Sequence, residues 1–238
     1  MNKLITLTLN DLRNIMRDNF LRYFLLIIPF LFIFIVDWLI PFAINLFPVI
    51  SGFADIITSS FMLELPLMIA FVISFMMLDE KDERVFTALR VVPVTLFQFL
   101  FYRLSLAVFF SFVFEFLMLY FNNLFEVSFV NILLSSLLYA LITPIFVLLE
   151  VTFASNKVTG FTLFKGLNFI FIIPAAGFFI HSNWQYLLGI IPSYWPIHFT
   201  YTVLNNISNT GFLIFSFLYI ISIILLLSSI FKRMIYNA

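Results

Sequence analysis

The stretch FLIFSFLYIISIILLLSSIFKR, residues 212–233, is a long apolar run that ends on two basic residues. A helix needs about 20 mostly apolar residues to cross the hydrocarbon core of a bilayer, and residues 212–231 meet that length. Short cytoplasmic segments retain positive charge, and here Lys232 and Arg233 follow directly after the run. The stretch therefore predicts a membrane-spanning helix that ends in the cytoplasm.

Five further apolar runs precede this one, so the sequence predicts six membrane spans. A chain that is 63% hydrophobic and only 10% charged is also unlike a soluble domain, in which about 25% of residues are charged. The third run reaches back to Phe97 if the Arg103 side chain snorkels towards water. The fifth is short, and we expect its helix to begin before Lys165. The five runs are residues 23–41, 61–78, 104–121, 129–149 and 167–180.

The basic residues fall on one side of this predicted membrane. Three of the connections between spans contain no lysine or arginine, and the other segments contain all twelve. Because positive charge marks the cytoplasmic side, both termini are predicted to be cytoplasmic. The basic residues are Lys3, Arg13, Arg17, Arg22, Lys81, Arg84, Arg90, Arg103, Lys157, Lys165, Lys232 and Arg233.

Motifs for several kinds of chemistry are missing from the sequence. There is no G-x-x-x-x-G-K-[ST] phosphate loop, no H-E-x-x-H and no G-x-S-x-G, and there is no cysteine. His181 and His198 are the only histidines, and their proline-rich separation is a poor metal signal. We therefore expect the chain to have no catalytic residue, no metal and no cofactor of its own.

Three segments between or before the spans carry their own signals. Residues 1–22 contain apolar residues at helical spacing opposite arginines and asparagines, which predicts an interfacial helix that either anchors the chain or docks a partner. Residues 79–97 concentrate charge around a short apolar stripe that ends at Pro93, which predicts a cytoplasmic docking helix. Residues 182–208 are rich in Trp, Tyr and Pro, which predicts short helices that re-enter the outer leaflet.

Four carboxylates lie within or at the ends of the predicted spans. Asp37 and Glu150 lie near span ends and are expected to mark the interfaces. At 1.5 Å per residue, Glu64 lies about 21 Å from the inner end of its span, and Glu115 lies about 18 Å from Arg103. Both acids are thus predicted to lie in the outer half of the membrane, where the sequence places no lysine or arginine. A charged acid at the centre of a span costs about 2.5–3.5 kcal/mol. Either these two acids are neutral and hydrogen-bonded to backbone, or at least one faces a polar cavity on a substrate pathway.

The order of these features resembles the type-2 ATP-binding-cassette (ABC) export permeases. Residues 80–94, EKDERVFTALRVVPV, are similar to the family's charged coupling segment, although Arg84 and Val85 stand where Gly-Thr is usual. Residues 11–19, DLRNIMRDN, are similar to its Arg-Asp-Pro before the first span, with Asn19 in place of proline. Residues 191–196, IPSYWP, resemble the outer segment of bacterial drug-export permeases, including fluoroquinolone-export permeases.

The resemblance implies an all-α integral membrane protein with six transmembrane helices, an N-terminal interfacial helix and re-entrant outer helices between spans five and six. Residues 1–238 would form a single permease domain in the bacterial plasma membrane. It implies export of a drug, peptide or lipid-like substrate by two permease copies, identical or related. A separate ABC ATPase subunit would bind ATP and magnesium. Membrane lipid is an expected partner and nucleic acid is not.

Two roles are assigned to particular residues, one from the position of the acids within the spans and one from the charged segments and the resemblance. Glu64 and Glu115 are candidates for the substrate pathway. The alternatives left open by the residues themselves are a secondary transporter or channel in which either acid carries a proton or cation, and a structural membrane protein. The residues predicted to couple the chain to the ATPase are Arg13, Arg17, Glu80, Asp82, Glu83, Arg84, Leu89 and Arg90.

Overall fold

The computed structural model describes residues 11–83, 96–180, 183–207 and 210–237, and all regular structure within those ranges is helical. Six helical stretches there are long and apolar enough to cross a membrane, which confirms the predicted number of spans. We call them spans one to six. They are Asn19–Leu46, Pro48–Asp82, Gln98–Tyr120, Phe129–Phe153, Lys157–Phe179 and Gly211–Met234.

Span one consists of two α-helices joined by a π-helical turn. The first helix, α1, is Asn19–Phe34, the turn is Ile35–Leu39 and the second helix, α2, is Ile40–Leu46. The Asp18 side chain fixes the start of α1, because it accepts hydrogen bonds from the backbone N–H groups of the second and third residues after it. The span therefore begins four residues earlier than the apolar run alone suggests.

Span two is broken near its outer end. A 3-10 turn at Pro48–Phe53 leads into α3, Ala54–Met62, which gives way at Leu63 to α4, Glu64–Asp82. Proline has no backbone N–H, so Pro66 cannot donate to the carbonyl four residues earlier, and this weakens the helix at the junction. Residues 43–58, which the sidedness of the basic residues predicts to face outside, are almost all helical. Their side of the membrane stays a prediction.

Spans three, four and five follow as helices close to the predicted runs. Span three lies in α5, Leu96–Tyr120, and span four is α6, Phe129–Ala140, followed by α7, Ile142–Phe153. Span five is α8, Lys157–Ile172, extended by a 3-10 turn at Ile173–Phe179. A reciprocal pair of hydrogen bonds between Asn156 and Thr159 caps the start of α8. Span five thus begins before Lys165, as predicted.

The outer segment between spans five and six contains short helices. Asn183–Ile190 forms a 3-10 helix, and Tyr194–Leu204 forms α9. The chain then enters α10, Thr210–Asn237, which contains span six. Their depth in the outer leaflet stays a prediction, and so does the interfacial position of residues 11–17, which are helical.

Spans two and four form the centre of the bundle. In their most apolar windows 83% and 72% of residues are buried, whereas the corresponding shares for spans one, five and six are 28%, 22% and 17%. Helix α4 packs against α1, α5, α7 and α8, and the Phe71 ring on α4 contacts the rings of Phe24 and Phe164. Spans one, five and six therefore present broad apolar faces that suit lipid or another membrane protein.

Candidate functional site

A buried ion cluster lies at the start of span three, the end predicted to be cytoplasmic. The Arg103 side chain is only 1% exposed. Its Nη2 and Nε atoms lie 3.0 Å and 3.1 Å from the Asp11 carboxylate oxygens, and both guanidinium Nη atoms donate to the Glu80 carboxylate. The expectation that Arg103 snorkels to water is therefore wrong. Two carboxylates satisfy its planar fork of donors inside the protein instead.

Two aromatic residues complete this cluster. The Tyr102 hydroxyl donates to Asp11 Oδ2 at 2.8 Å, and the Phe99 ring lies 4.5 Å from the Arg103 guanidinium carbon. We call Asp11, Glu80, Tyr102 and Arg103 the Arg103 cluster. It joins the helical residues before span one, the end of span two and the start of span three. The Tyr102 contact could not be predicted from the sequence, because a tyrosine next to an arginine does not indicate that both bind the same carboxylate.

The Arg103 cluster brackets the predicted coupling segment. Glu80 lies at the start of that segment and Arg103 follows its end, so the ion pair holds the two ends of the segment close together. Asp82 and Glu83 are exposed at the end of α4, and Arg13 and Arg17 are exposed before span one. Arg84, Leu89 and Arg90 lie outside the described residues. Docking of a partner on this segment therefore stays a prediction.

A second set of contacts binds the end of span two to spans four and five. The Lys81 ammonium donates to the backbone carbonyls of Val151 at 2.9 Å and Ala154 at 2.6 Å. These carbonyls belong to the last turn of α7, where a cation is favoured because the helix leaves acceptors unsatisfied. Lys157 Nζ lies 2.6 Å from Asp79 Oδ1 on the surface. The end of span two is thus joined to the end of span four and the start of span five.

Close packing at one glycine reinforces that junction. A Cβ atom added to Gly160 would lie 2.4 Å from Leu78 Cδ1 and 3.5 Å from Glu150 Oε1. The Leu78 side chain on α4 therefore occupies the space beside Gly160, and Glu150 on α7 lies at ordinary contact distance. The Glu150 carboxylate accepts a hydrogen bond from Ser74 Oγ at 2.6 Å in the same place.

The two acids expected to mark the interfaces are buried inside the protein. Asp37 is 4% exposed and Glu150 is 0% exposed, so other parts of the protein cover both side chains, and their position at the interfaces stays a prediction. Asp37 lies in the π-helical turn of span one, and such turns often occur at functional sites. Sequence position gave the depth of each acid, but whether it faces the bundle depends on helix rotation, which the apolar runs do not encode.

The two acids predicted for a substrate pathway have different surroundings. Glu64, at the start of α4, is half-buried, and its Oε2 atom accepts a hydrogen bond from Asn168 Nδ2 on span five at 3.1 Å. Glu115 on span three is completely buried, and neither of its carboxylate oxygens has a hydrogen-bond partner among the described residues. The Asn168 contact was not predicted.

An apolar cavity of about 850 Å³ opens between spans three, four and six. Helix α10 packs on α7 and stands apart from α5 across this cavity. Among the described residues, its polar lining residues are two serines and Lys232, and neither Glu64 nor Glu115 lines it. The apolar walls are formed by Leu100, Phe101, Leu104, Val108, Phe109, Phe112, Leu133, Leu134, Leu137, Leu141, Pro144, Ile224 and Leu225.

Comparison with known proteins places these features in a family. A family profile described as "Fluoroquinolones export permease protein Rv2686c-like" matches residues 11–228, most of the chain. The chain belongs to this family. The match covers the described residues from Asp11 to the middle of α10, and hence the Arg103 cluster, the buried acids and the apolar cavity. The resemblance to drug-export permeases seen in the sequence is therefore confirmed.

Two curated relatives come from Mycobacterium tuberculosis. They are the fluoroquinolones export permease protein Rv2686c of strain ATCC 25618 / H37Rv and the fluoroquinolones export permease protein MT2760 of strain CDC 1551 / Oshkosh. Each is 29% identical over 147 residues, which is 60% of this chain and 58% of the relative. The match thus spans less than two thirds of the relatives' length. No solved structure matches.

Proposed function

We propose that this chain is the transmembrane permease subunit of an ABC exporter. The observation that carries the proposal is the Arg103 cluster. Its ion pairs and hydrogen bonds connect the helix before span one, the end of span two and the start of span three, which are the elements that a cytoplasmic partner would contact. A movement of the segment between Glu80 and Arg103 would be transmitted to spans two and three by buried ion pairs. Membership of a family named for export permeases supports the same function.

A separate ATPase subunit would supply the energy. The sequence contains no phosphate loop, so ATP and its magnesium ion would be bound by the partner, and this chain would not be an enzyme. We propose that the ATPase docks on residues 79–97 and on the helix before span one. The contacts of Lys81 with the end of span four would carry the same movement to the centre of the bundle.

We further propose that two permease copies form the pathway. The Glu64–Asn168 pair lies on spans two and five, and span five is largely uncovered in the single chain. A second copy covering that face would place the Glu64 carboxylate beside a pathway, where it favours cationic or zwitterionic substrates. The assignment of Glu115 to the substrate pathway stays a prediction. A drug, a peptide and a lipid-like molecule all fit this description, and a fluoroquinolone is the first to test.

The deciding experiment is co-expression with a phosphate-loop ATPase encoded beside the chain, followed by reconstitution in liposomes. We expect the two proteins to purify together and a fluoroquinolone to stimulate ATP hydrolysis. Replacing the phosphate-loop lysine of the partner should abolish export. Export that continues without the ATPase, driven by a proton gradient, would favour the alternative of a secondary transporter.

Sidedness gives a second test. We propose that the chain lies in the bacterial plasma membrane with both termini in the cytoplasm. Because the chain contains no cysteine, single cysteines report their own position without background labelling. Cysteines at Ser51, Asn122 and Asn183 should react with an impermeant thiol reagent in intact cells. Labelling of cysteines placed at Asn156 or Asn237 instead would overturn this orientation.

The Glu64→Gln substitution tests the pathway. Glutamine keeps the shape of the side chain and an acceptor for Asn168 but removes the negative charge. We expect export of a cationic substrate to fall several-fold while export of a neutral analogue changes little, because only the cation gains from a carboxylate in a low-dielectric channel. Asn168→Asp is the opposite change in charge, because it places a second acid in contact with Glu64. Equal export of both substrates by wild type and Glu64→Gln would show that Glu64 is structural.

A further inference from the structure

The apolar cavity between spans three, four and six is a groove that follows the helices. On α5 its lining runs from Leu100 to Phe112 at helical spacing, so one face of that helix forms one wall. On α10 the lining runs from Ile224 to Lys232 in the same way. At 1.5 Å per residue the wall on α5 is about 18 Å long, close to half of the hydrocarbon thickness of about 30 Å. The groove therefore matches one leaflet of a bilayer, whereas a second membrane-spanning helix would need about twice that length.

The groove is open along the outside of the bundle. Phe101, Phe109 and Leu225 line it, and more than half of the surface of each side chain is exposed. Because α10 packs on α7 and stands apart from α5, its side towards α5 gains little packing from the described residues. A gap between helices loses dispersion contacts unless something apolar fills it. In a membrane, the acyl chains of lipids have direct access to such a groove.

One end of the groove carries positive charge. Lys232 is the last lining residue on α10, and because successive spans alternate in direction it lies at the same end as Leu100. The described lining residues include no acid, and the Ser105 hydroxyl donates its proton within α5, to the carbonyl of Phe101 at 2.6 Å. An ammonium group has three N–H donors, so it can bind a phosphate in addition to its contacts within the protein. The groove thus combines an apolar body with a cationic end, which is complementary to an anionic lipid.

We propose that this groove binds one anionic phospholipid, with an acyl chain between α5 and α10 and the phosphate beside Lys232. A zwitterionic headgroup carries its own cation next to the phosphate, so the lysine favours a lipid with net negative charge. The bound lipid connects α10 to α5, because each helix packs on the acyl chain where it does not pack on the other helix. The lipid comes from the leaflet at the end of α10, the side that the basic residues predict to be cytoplasmic.

The experiment counts the lipids bound to the purified, delipidated full chain by native mass spectrometry in a neutral detergent. Phosphatidylglycerol and phosphatidylcholine with identical oleoyl chains are added in separate titrations. We expect one phosphatidylglycerol per chain, bound about fivefold more tightly than phosphatidylcholine, which is the contribution of one lysine near an anionic headgroup. Lys232→Gln should remove this preference. Arg233→Gln makes the same change in charge at an exposed neighbour that does not line the groove, and it should keep the preference.

A second pair of variants tests the position of the acyl chain. Val108 lies on α5 in the middle of the groove wall, and Val113 lies on the same helix outside it; both are half-buried. Val108→Trp fills part of the groove and should lower the affinity for both lipids by about tenfold or more, the effect of displacing two CH₂ groups. Val113→Trp should leave both affinities unchanged. Added phosphatidylglycerol should raise the unfolding temperature of the wild type and of Val113→Trp, but not that of Val108→Trp.

Several results would overturn the lipid site. These are equal affinity of the wild type for the two lipids, equal losses in Lys232→Gln and Arg233→Gln, and unchanged lipid binding in Val108→Trp. If Val108→Trp instead changes the number of chains per particle in the same spectra, a second copy of the chain occupies the groove. Displacement of the lipid by a fluoroquinolone would assign the groove to the substrate and would also overturn the proposal. The lipid titrations need neither ATPase nor transport, so their failure is distinguishable from failure of the proposed function.

Discussion

Replacing Arg103 with methionine is expected to lower the free energy of unfolding by about 3–5 kcal/mol. Methionine preserves much of the side-chain volume but leaves the carboxylates of Asp11 and Glu80 together without their cation. An uncompensated charge inside a protein is among the most destabilising changes that one substitution produces. Thermal unfolding of the purified protein in one detergent, at fixed lipid content, measures the effect.

Two variants show whether buried charge is the cause. Arg17 is exposed on the helical residues before span one, so Arg17→Met should change stability by well under 1 kcal/mol. The triple variant Arg103→Met, Asp11→Asn and Glu80→Gln carries no charge in the cluster and should regain much of the lost stability. If the triple variant is as unstable as Arg103→Met, packing rather than ion pairing holds this junction.

The Arg103 cluster also marks the limit of what the sequence could predict about the fold. Length and hydropathy predicted the number of spans, because crossing a bilayer fixes the length of an apolar helix. They also predicted that the fifth helix starts before Lys165. The pairing of distant residues could not be predicted from the sequence. Asp11 and Arg103 are 92 positions apart and come into contact only when three helix ends pack together.

Helix rotation explains why burial of the acids was not predicted. The apolar runs of spans one and four are apolar all round, so their periodicity does not show which face is covered. Asp37 and Glu150 were assigned to the interfaces from their positions near span ends, and the structure shows that neighbouring helices bury both. The same ambiguity separates Glu64 from Glu115, which the sequence places at similar depth. Only packing shows that Glu64 contacts Asn168 and that Glu115 has no hydrogen-bond partner among the described residues.

Breaks within helices were the other feature that the sequence obscured. The sequence did not show that the chain turns from span one to span two around Phe47, with helical residues on both sides. The break at Leu63 falls inside a single apolar run and leaves no compositional trace except Pro66. It separates α3 from α4.

The largest functional effect is expected in the coupling segment. Leu89→Asp, or charge reversal at Glu83 and Arg84 together, should weaken binding of the ATPase by about thirtyfold. An aspartate in the apolar stripe removes a contact that only a docked partner would cover, and truncation of such anchors commonly costs about 2 kcal/mol or more. Export should be lost while the permease remains inserted, because the Arg103 cluster holds both ends of the segment independently of its middle. Affinity for the purified ATPase and export by reconstituted vesicles are the two measurements.

Matched changes at the opposite end of the molecule control for insertion and charge. Leu187 is exposed in the outer 3-10 helix, and Glu126 is exposed before span four. Leu187→Asp and Glu126→Arg should leave ATPase affinity unchanged, since neither lies on the proposed docking side. If docking requires the apolar stripe that contains Leu89, Leu89→Asp alone already removes that contact. The double variant Leu89→Asp, Arg103→Met should then bind the ATPase as weakly as Leu89→Asp does. Wild-type affinity and export in Leu89→Asp would show that the ATPase, if there is one, binds elsewhere.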